Sequence, residues 1–228
     1  MTIKDNLLTI GECIRAAESK YGRAVGSVKL LAVSKHQPVS ALEEALQVQQ
    51  LAFGENYVQE MAEKAAQLRQ YPIEWHFIGP IQSNKTRQIV ELATWIHSVD
   101  RLKIAERLSA QNPNPKRPLQ ICLQVNISDE ASKSGVAAEQ VFELASAVKQ
   151  LPNLQLRGLM TIPAPEEDFA KQRQAFAAVR GLLEQLNAQG FQLDTLSMGM
   201  SGDLEAAIAE GATIVRLGTA LFGARRRD

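Results

Sequence analysis

Three stretches of the chain carry residue types that could do chemistry together. The first is "KLLAVSKHQP" (29–38), an apolar run that ends at Ser34 and delivers Lys35 just beyond it. A lysine there is either a solvated strand end or a nucleophile, since lysine resists burial. A lysine amine whose pKa is lowered by local desolvation attacks a carbonyl and forms a Schiff base. The second is "SMGMSGD" (197–203), where Gly199 and Gly202 let the backbone bend and approach a ligand closely. Ser201 offers a hydroxyl and a backbone N–H, and Asp203 is expected to cap the next helix. The third, "RLGTALFG" (216–223), repeats the arrangement with Gly218 and Thr219. Each turn alone reads as an ordinary tight connection. Two adjacent helix N-termini with unpaired N–H groups make an anion site. A lysine facing such a cradle is the layout for a phosphorylated aldehyde. Arg216 is the remaining charge. Turned inward it lies near a ring held between Lys35 and Thr219; otherwise it pairs with a carboxylate on the rim.

The elements that must bring these residues together follow from the hydrophobic pattern. Eight short apolar runs stand out: "KLLAVS", "LAFGEN", "EWHFIG", "WIHSVD", "LQICLQVN", "LQLRGLMTI", "LSMGM" and "IVRLG". Helical patterns between them begin near Val39, Tyr57, Asn84, Leu102, Ala137, Glu166, Leu204 and Thr219. Most runs lack apolar/polar alternation, as strands covered by helices do. Strand–helix alternation repeated eight times predicts a closed (β/α)8 TIM-type barrel, which typically takes about 250 residues. An extra helix over about 4–21 precedes it, and the barrel spans about 28–223 within one domain, 1–228. The competing architecture is an open doubly wound sheet, but "GSVKLLAVSK" lacks a GxGxxG after its strand. In a barrel the strand C-termini form the active face, and phosphates often bind after strands seven and eight. Closure places those loops beside strand one and Lys35.

Bulk properties narrow the function classes. Of 228 residues, 25 are Lys or Arg and 25 are Asp or Glu, so the formal charge is zero. No global basic excess points to nucleic acid, and the one basic run, "ARRRD" at the C-terminus, reads as a solvated tail. Cys13 and Cys122 form no CxxC pattern and read as buried or half-buried small hydrophobes. His36, His76 and His97 lack metal-ligand spacing. No signal peptide or apolar stretch of about 20 residues occurs, so no membrane association is expected and a cytoplasmic location fits.

"AVSK", "FGENYVQE", "WHFIGPIQSNK", "RGLMTI", "SMGMSGD" and "VRLGTALFG" occur in that order. With these motifs the chain resembles the YggS/PROSC-like pyridoxal phosphate homeostasis family, from about Val28 to Gly223. The resemblance implies a barrel related to the N-terminal domain of alanine racemases, with pyridoxal 5'-phosphate (PLP) as cofactor. On this match Lys35 is the Schiff-base lysine, and Ser201, Gly202, Gly218 and Thr219 are the phosphate cradle. Arg216 faces the pyridine nitrogen, and Asn56, His76, Ile78 and Met200 line the pocket. A role in intracellular vitamin B6 and amino-acid homeostasis follows, with PLP-dependent apo-enzymes as possible recipients and a monomer as the expected state.

Arginine stays cationic, so it should keep a facing ring nitrogen unprotonated and leave a carbanion poorly stabilised. This argues against general amino-acid chemistry but not against racemisation, since the resemblance implies that alanine racemases carry the same arginine. Two-base racemisation needs a second acid/base across the cofactor, which alanine racemases carry in a further domain; the chain ends at Asp228 without one. Handling PLP without substantial turnover is therefore expected. An amino-acid racemase and a PLP-responsive interaction protein are the alternatives. Among single residues, Tyr57 is expected to pack at its helix start, and His36 faces away from Lys35 by parity. In "QSNK" (82–85) Asn84 is expected to cap a helix. "SDEASKSG" (128–135) is either a loop over the mouth or a long surface turn.

Overall fold

The computed structural model describes residues 2–114, 116–127 and 134–223. Helix α1 (Ile3–Lys20) opens on a capping box: the Thr2 side chain accepts from the Asp5 N–H, and the Asp5 carboxylate accepts from the Thr2 N–H. Its buried Ile10, Ile14 and Ala17 recur at helical spacing on one face. Near its end, buried Glu18 accepts hydrogen bonds from the Gly26 and Val28 N–H groups and so shapes the turn into the first strand.

Strands and helices then alternate. The order is β1 (Lys29–Val33), α2 (Val39–Leu46), β2 (Ala52–Glu55), α3 (Val58–Gln67), β3 (Glu74–Phe77), α4 (Thr86–Leu92), β4 (Trp95–Val99), α5 (Leu102–Gln111) and β5 (Leu119–Asn126). A two-residue strand β6 (Val136–Ala137) and a 3₁₀ turn (Ala138–Gln140) lead to α6 (Val141–Lys149) and β7 (Leu154–Thr161). The chain continues through α7 (Phe169–Ala188), β8 (Thr195–Ser197), α8 (Leu204–Ala209), β9 (Ile214–Leu217) and α9 (Thr219–Phe222).

All pairings are parallel. The strand order is β4-β3-β2-β1-β9-β8-β7-β5, and β4 also pairs with β5, which closes the ring. β6 pairs only with the end of β5, at Val125 and Asn126. The eight runs read from sequence are the eight barrel strands, and helix α1 is the extra element. β6 escaped sequence reading because two residues carry no periodicity.

Strand alternation separates two layers of core. Leu31, Ala52, Trp95, Cys122, Met160 and Ile214 form an apolar cluster contributed by six strands, apart from the main core. Their neighbours Ala32, Phe53, Ile96, Ile121, Leu159 and Val215 belong to the large cluster shared with the helices. The small cluster fills the lumen, as barrel interiors require. Cys122 is buried there as expected, whereas Cys13 is exposed, because it lies off the buried stripe of α1.

Two further expectations change, and two more fall on residues that are not described. Asn84 caps nothing: α4 begins after Lys85, with no side-chain cap. Asp203 holds the N-cap position of α8, but its carboxylate turns back to accept from the Met200 N–H at 2.5 Å. Residues 128–133 of "SDEASKSG", and all of "RRRD" with Ala224, lie outside the described residues.

Candidate cofactor site at the barrel mouth

Lys35 follows β1 in a turn closed by the Gln37 N–H donating to Ser34 O at 3.0 Å. His36, its next residue, has φ +61°, a left-handed conformation that costs a non-glycine residue about 1 kcal/mol or more. Neighbouring groups hold that turn in place. Lys64 of α3 donates to Ser34 O (2.7 Å), Glu55 Oε1 (2.7 Å) and Glu60 Oε2 (3.0 Å). The Ser34 hydroxyl donates to Glu55 Oε1 at 2.7 Å. Glu60 accepts from the His36 N–H at 2.8 Å, and its other oxygen lies 3.0 Å from His36 Nδ1. Both chain neighbours of Lys35 are thus fixed by one cluster. Burial pushes the Glu55 carboxyl above the usual carboxylate range, against the opposing pull of Lys64. Burial also opposes ionisation of Glu60, but the His36 N–H and Lys64 outweigh it and hold that carboxyl low.

The sheet register brings the glycine turns beside this lysine. Leu31 pairs with Arg216 and Ala32 with Leu217, so Gly218 abuts Val33; a Cβ on Gly218 would lie 3.1 Å from Val33 O. On the other side of β9, the Arg216 N–H donates to Gly199 O at 2.9 Å. Gly199 has φ +98°, and a Cβ there would meet Ala207 Cβ at 2.5 Å, so only glycine turns the chain toward Met200, Ser201 and Gly202. Lys35, Gly218–Thr219 and Ser201–Gly202 thus stand at the ends of three consecutive strands. In α9 the first intrahelical bonds return from Leu221 and Phe222 to Gly218 O, which leaves the Thr219 and Ala220 N–H groups ahead of the ladder. Helix α1 braces this region: Asn6 Nδ2 donates to Leu221 O at 2.8 Å, and Lys20 and Tyr21 both reach Glu205 of α8.

The remaining expected residues are distributed around the mouth and below it. Asn56 follows β2 and packs so tightly on Gly79 that a Cβ there would fall 2.1 Å from Asn56 O. Met200 is exposed at the rim, and Ile78 is half-buried against the lumen cluster. His76 lies deeper than a mouth residue. It is fully buried, stacked on Trp95 at 5.6 Å, with Nε2 2.6 Å from Glu74 Oε1 and Nδ1 2.8 Å from His97 Nε2. Both ring nitrogens have protein partners, so neither is left to meet a ligand at the mouth. His36 is exposed, as parity suggested, and tilts against Tyr57 with ring centroids 5.3 Å apart. Tyr57 holds the N-cap position of α3 as expected and is half exposed, with its ring against His36.

Arg216 points into the lumen, and among the described residues no carboxylate forms an ion pair with it. Its Nη1 donates to Ser197 O (2.6 Å) and Ser197 Oγ (3.0 Å), and its Nη2 to Thr161 O (2.9 Å). Burial lowers its pKa to about 10, partly opposed by Asp203 and Cys122, so it remains cationic at neutral pH. Sequence reading missed Glu55, Glu60 and Lys64 as a unit, missed His97, and put Ser197 at a strand end without a role. The Glu60–Lys64 spacing of four was visible, but only tertiary contact shows that both reach the Lys35 turn.

The Thr219 and Ala220 N–H groups ahead of α9 suit an anionic group, and two acceptor oxygens at the end of β2 suit a ligand donor. Among the described residues Asn56 Oδ1 and Glu55 Oε2 are buried without a hydrogen-bond partner, an arrangement that costs free energy unless something completes it. A Cβ on Gly202 would meet nothing within 4 Å, so the turn opens onto free space.

A closed parallel barrel with a lysine after strand one and glycine turns after the last two strands defines a class. The alanine racemase N-terminal domain matches residues 12–226. A Pseudomonas aeruginosa pyridoxal phosphate homeostasis protein is 59% identical over 224 residues, covering 98% of this chain and 96% of the relative. Its counterpart from Vibrio alginolyticus is 54% identical over 228 residues, covering 98% of each chain. PipY of Synechococcus elongatus, solved with PLP bound, superposes with TM-score 0.81 at 40% identity, covering 92% of this chain and 100% of PipY. The chain belongs to the pyridoxal phosphate homeostasis protein family, within the alanine racemase N-terminal fold.

Proposed function

We propose that the protein holds PLP covalently through Lys35 at the barrel mouth and acts in intracellular PLP and amino-acid homeostasis without substantial turnover. The observation that carries this reading is the adjacency of Lys35 to the Ser201–Gly202 and Gly218–Thr219 turns on consecutive strand ends. PLP supplies an aldehyde carbon for a lysine amine and a pyridine ring that can draw electron density.

The chain's own residues would do the rest. The Glu55–Lys64–Glu60 cluster fixes the turn that presents Lys35. Ser201, Gly202, Gly218 and Thr219 offer N–H and hydroxyl donors to a phosphate. Asn56 offers its unpartnered Oδ1, with Ile78 and Met200 as apolar walls. Arg216 donates hydrogen bonds and cannot accept a proton, so a ring nitrogen facing it stays unprotonated. That setting disfavours general amino-acid carbanion chemistry, and by itself it does not separate storage from racemisation. His76 contributes from below, through the lumen.

The reading takes the barrel as one cofactor-binding domain acting as a monomer in the cytoplasm, with PLP-dependent apo-enzymes as recipients. No described helix is long and apolar enough to cross a membrane. The test is incubation with PLP, borohydride reduction and peptide mapping. The adduct mass should fall on the peptide that carries Lys35 and vanish in Lys35→Ala. An unmodified Lys35 peptide refutes the reading. Incubation of the loaded protein with single L-amino acids should give no D-enantiomer by chiral analysis; robust turnover would favour a racemase.

A further inference from the structure

A file of polar side chains runs through the otherwise apolar lumen, from the mouth to the floor. Arg216 Nη1 is 3.0 Å from Ser197 Oγ, Ser197 Oγ is 2.7 Å from His97 Nδ1, and His97 Nε2 is 2.8 Å from His76 Nδ1. His76 Nε2 is 2.6 Å from Glu74 Oε1, which also pairs with Lys29. Ser197, His76 and His97 are fully buried, whereas Lys29 and Glu74 open to solvent at the strand N-termini.

The two ends dictate every proton in between. A guanidinium can only donate and a carboxylate can only accept. Glu74 therefore takes the His76 Nε2–H, which leaves His76 Nδ1 to accept from His97 Nε2–H. His97 Nδ1 must then accept from the Ser197 hydroxyl, whose oxygen accepts from Arg216. Only one direction satisfies all five groups, with both imidazoles neutral.

We propose that Ser197, His97 and His76 are positioning residues for Arg216: a one-way hydrogen-bond chain that orients its guanidinium and couples the mouth to Glu74 on the floor. This rests on the PLP reading only in treating Arg216 as part of the ligand site. The charged and titratable groups around the chain are Lys29 on β1, Glu74 on β3, Cys122 on β5, Arg157 on β7, Asp194 before β8, Asp203 before α8 and Arg216 on β9. Burial lowers both imidazole pKa values; for His97, the neighbouring His76 and Arg216 charges lower it further. The His76 hydrogen bond, opposed by burial and aided by Lys29, holds the Glu74 carboxyl at about 2. The neutral-imidazole, anionic-floor state therefore spans neutral pH.

Two measurements test this on the full chain. Nitrogen-resolved NMR without PLP should show His76 and His97 as neutral Nε2–H tautomers near neutral pH. An Nδ1–H tautomer or an imidazolium at either residue overturns the proposal. The second is the pH dependence of the visible band of PLP-loaded protein. Glu74→Gln, a change at a partly exposed site, should lower its midpoint by about half a pH unit. In a Ser197→Ala background, which cuts the chain without changing charge, the Glu74→Gln shift should largely disappear. Equal shifts in both backgrounds mean bare Coulomb coupling and overturn the proposal. Should Lys35 fail to capture PLP, the PLP reading falls, and the tautomer measurement still decides the chain.

Discussion

Lys64→Met is the most revealing single perturbation of the mouth. Lys64 is only 7% exposed and Glu55 not at all, with 2.7 Å between them. Methionine keeps the stem and removes the ammonium, which leaves Glu55 a buried charge with only the Ser34 hydroxyl. Breaking such a pair from one side typically costs about 3–5 kcal/mol. The cost has a pH signature. The folded-state pKa of Glu55 is already raised by burial above its ordinary 4.5, and removal of Lys64 raises it further. A carboxyl whose folded pKa is raised contributes stability that is fully present below its unfolded pKa and is lost as pH rises through the folded value. The Lys64→Met penalty should therefore be largest in urea melts near pH 8 and shrink toward about pH 5. Adding Glu55→Gln should recover much of the loss, since a neutral amide can still bond Ser34. The same variant frees Ser34 O and loosens the Lys35 turn, so PLP capture should slow. A loss under about 1 kcal/mol, or one identical at both pH values, would refute the buried-pair reasoning.

Two glycines separate packing from binding at the same mouth. Gly79→Ala forces a Cβ to 2.1 Å from Asn56 O and should cost about 1–3 kcal/mol in denaturant melts, with weaker PLP loading. Gly202→Ala meets no atom within 4 Å, so its melt should match the parent while PLP affinity falls in titrations. The two cysteines should also differ. Burial pushes the Cys122 thiol up to about 12, whereas Cys13 is exposed. A thiol reagent should label one cysteine in the native protein and both in denaturant.

The barrel was legible because helix-covered parallel strands write themselves as short, largely apolar runs without strict alternation, and most of the eight did. The turns around Gly199 and Gly218 were legible because backbone geometry selects glycine. What escaped depends on distance in sequence. Lys64 reads as an ordinary helix cation until α3 folds it under residue 34, and His97 as an unremarkable strand residue until β4 lies beside β3. Inward parity from Trp95 to His97 and from Glu74 to His76 was available, but parity names a face and not a partner. Asp203 had the right residue type for a cap; the turn geometry set by Gly199 sent its carboxylate to Met200 instead.

The seam between β1 and β9 has a consequence for how the chain comes into being. β1 emerges from the ribosome well before one of its two partners, Ile214–Leu217. Asn6 likewise waits for Leu221, 215 residues later. Until then β1 presents an open edge, the kind of surface that recruits other chains, and ring closure is a late, long-range step. The Lys35 site straddles that seam, so the cradle and its lysine can meet only when synthesis of the barrel is complete.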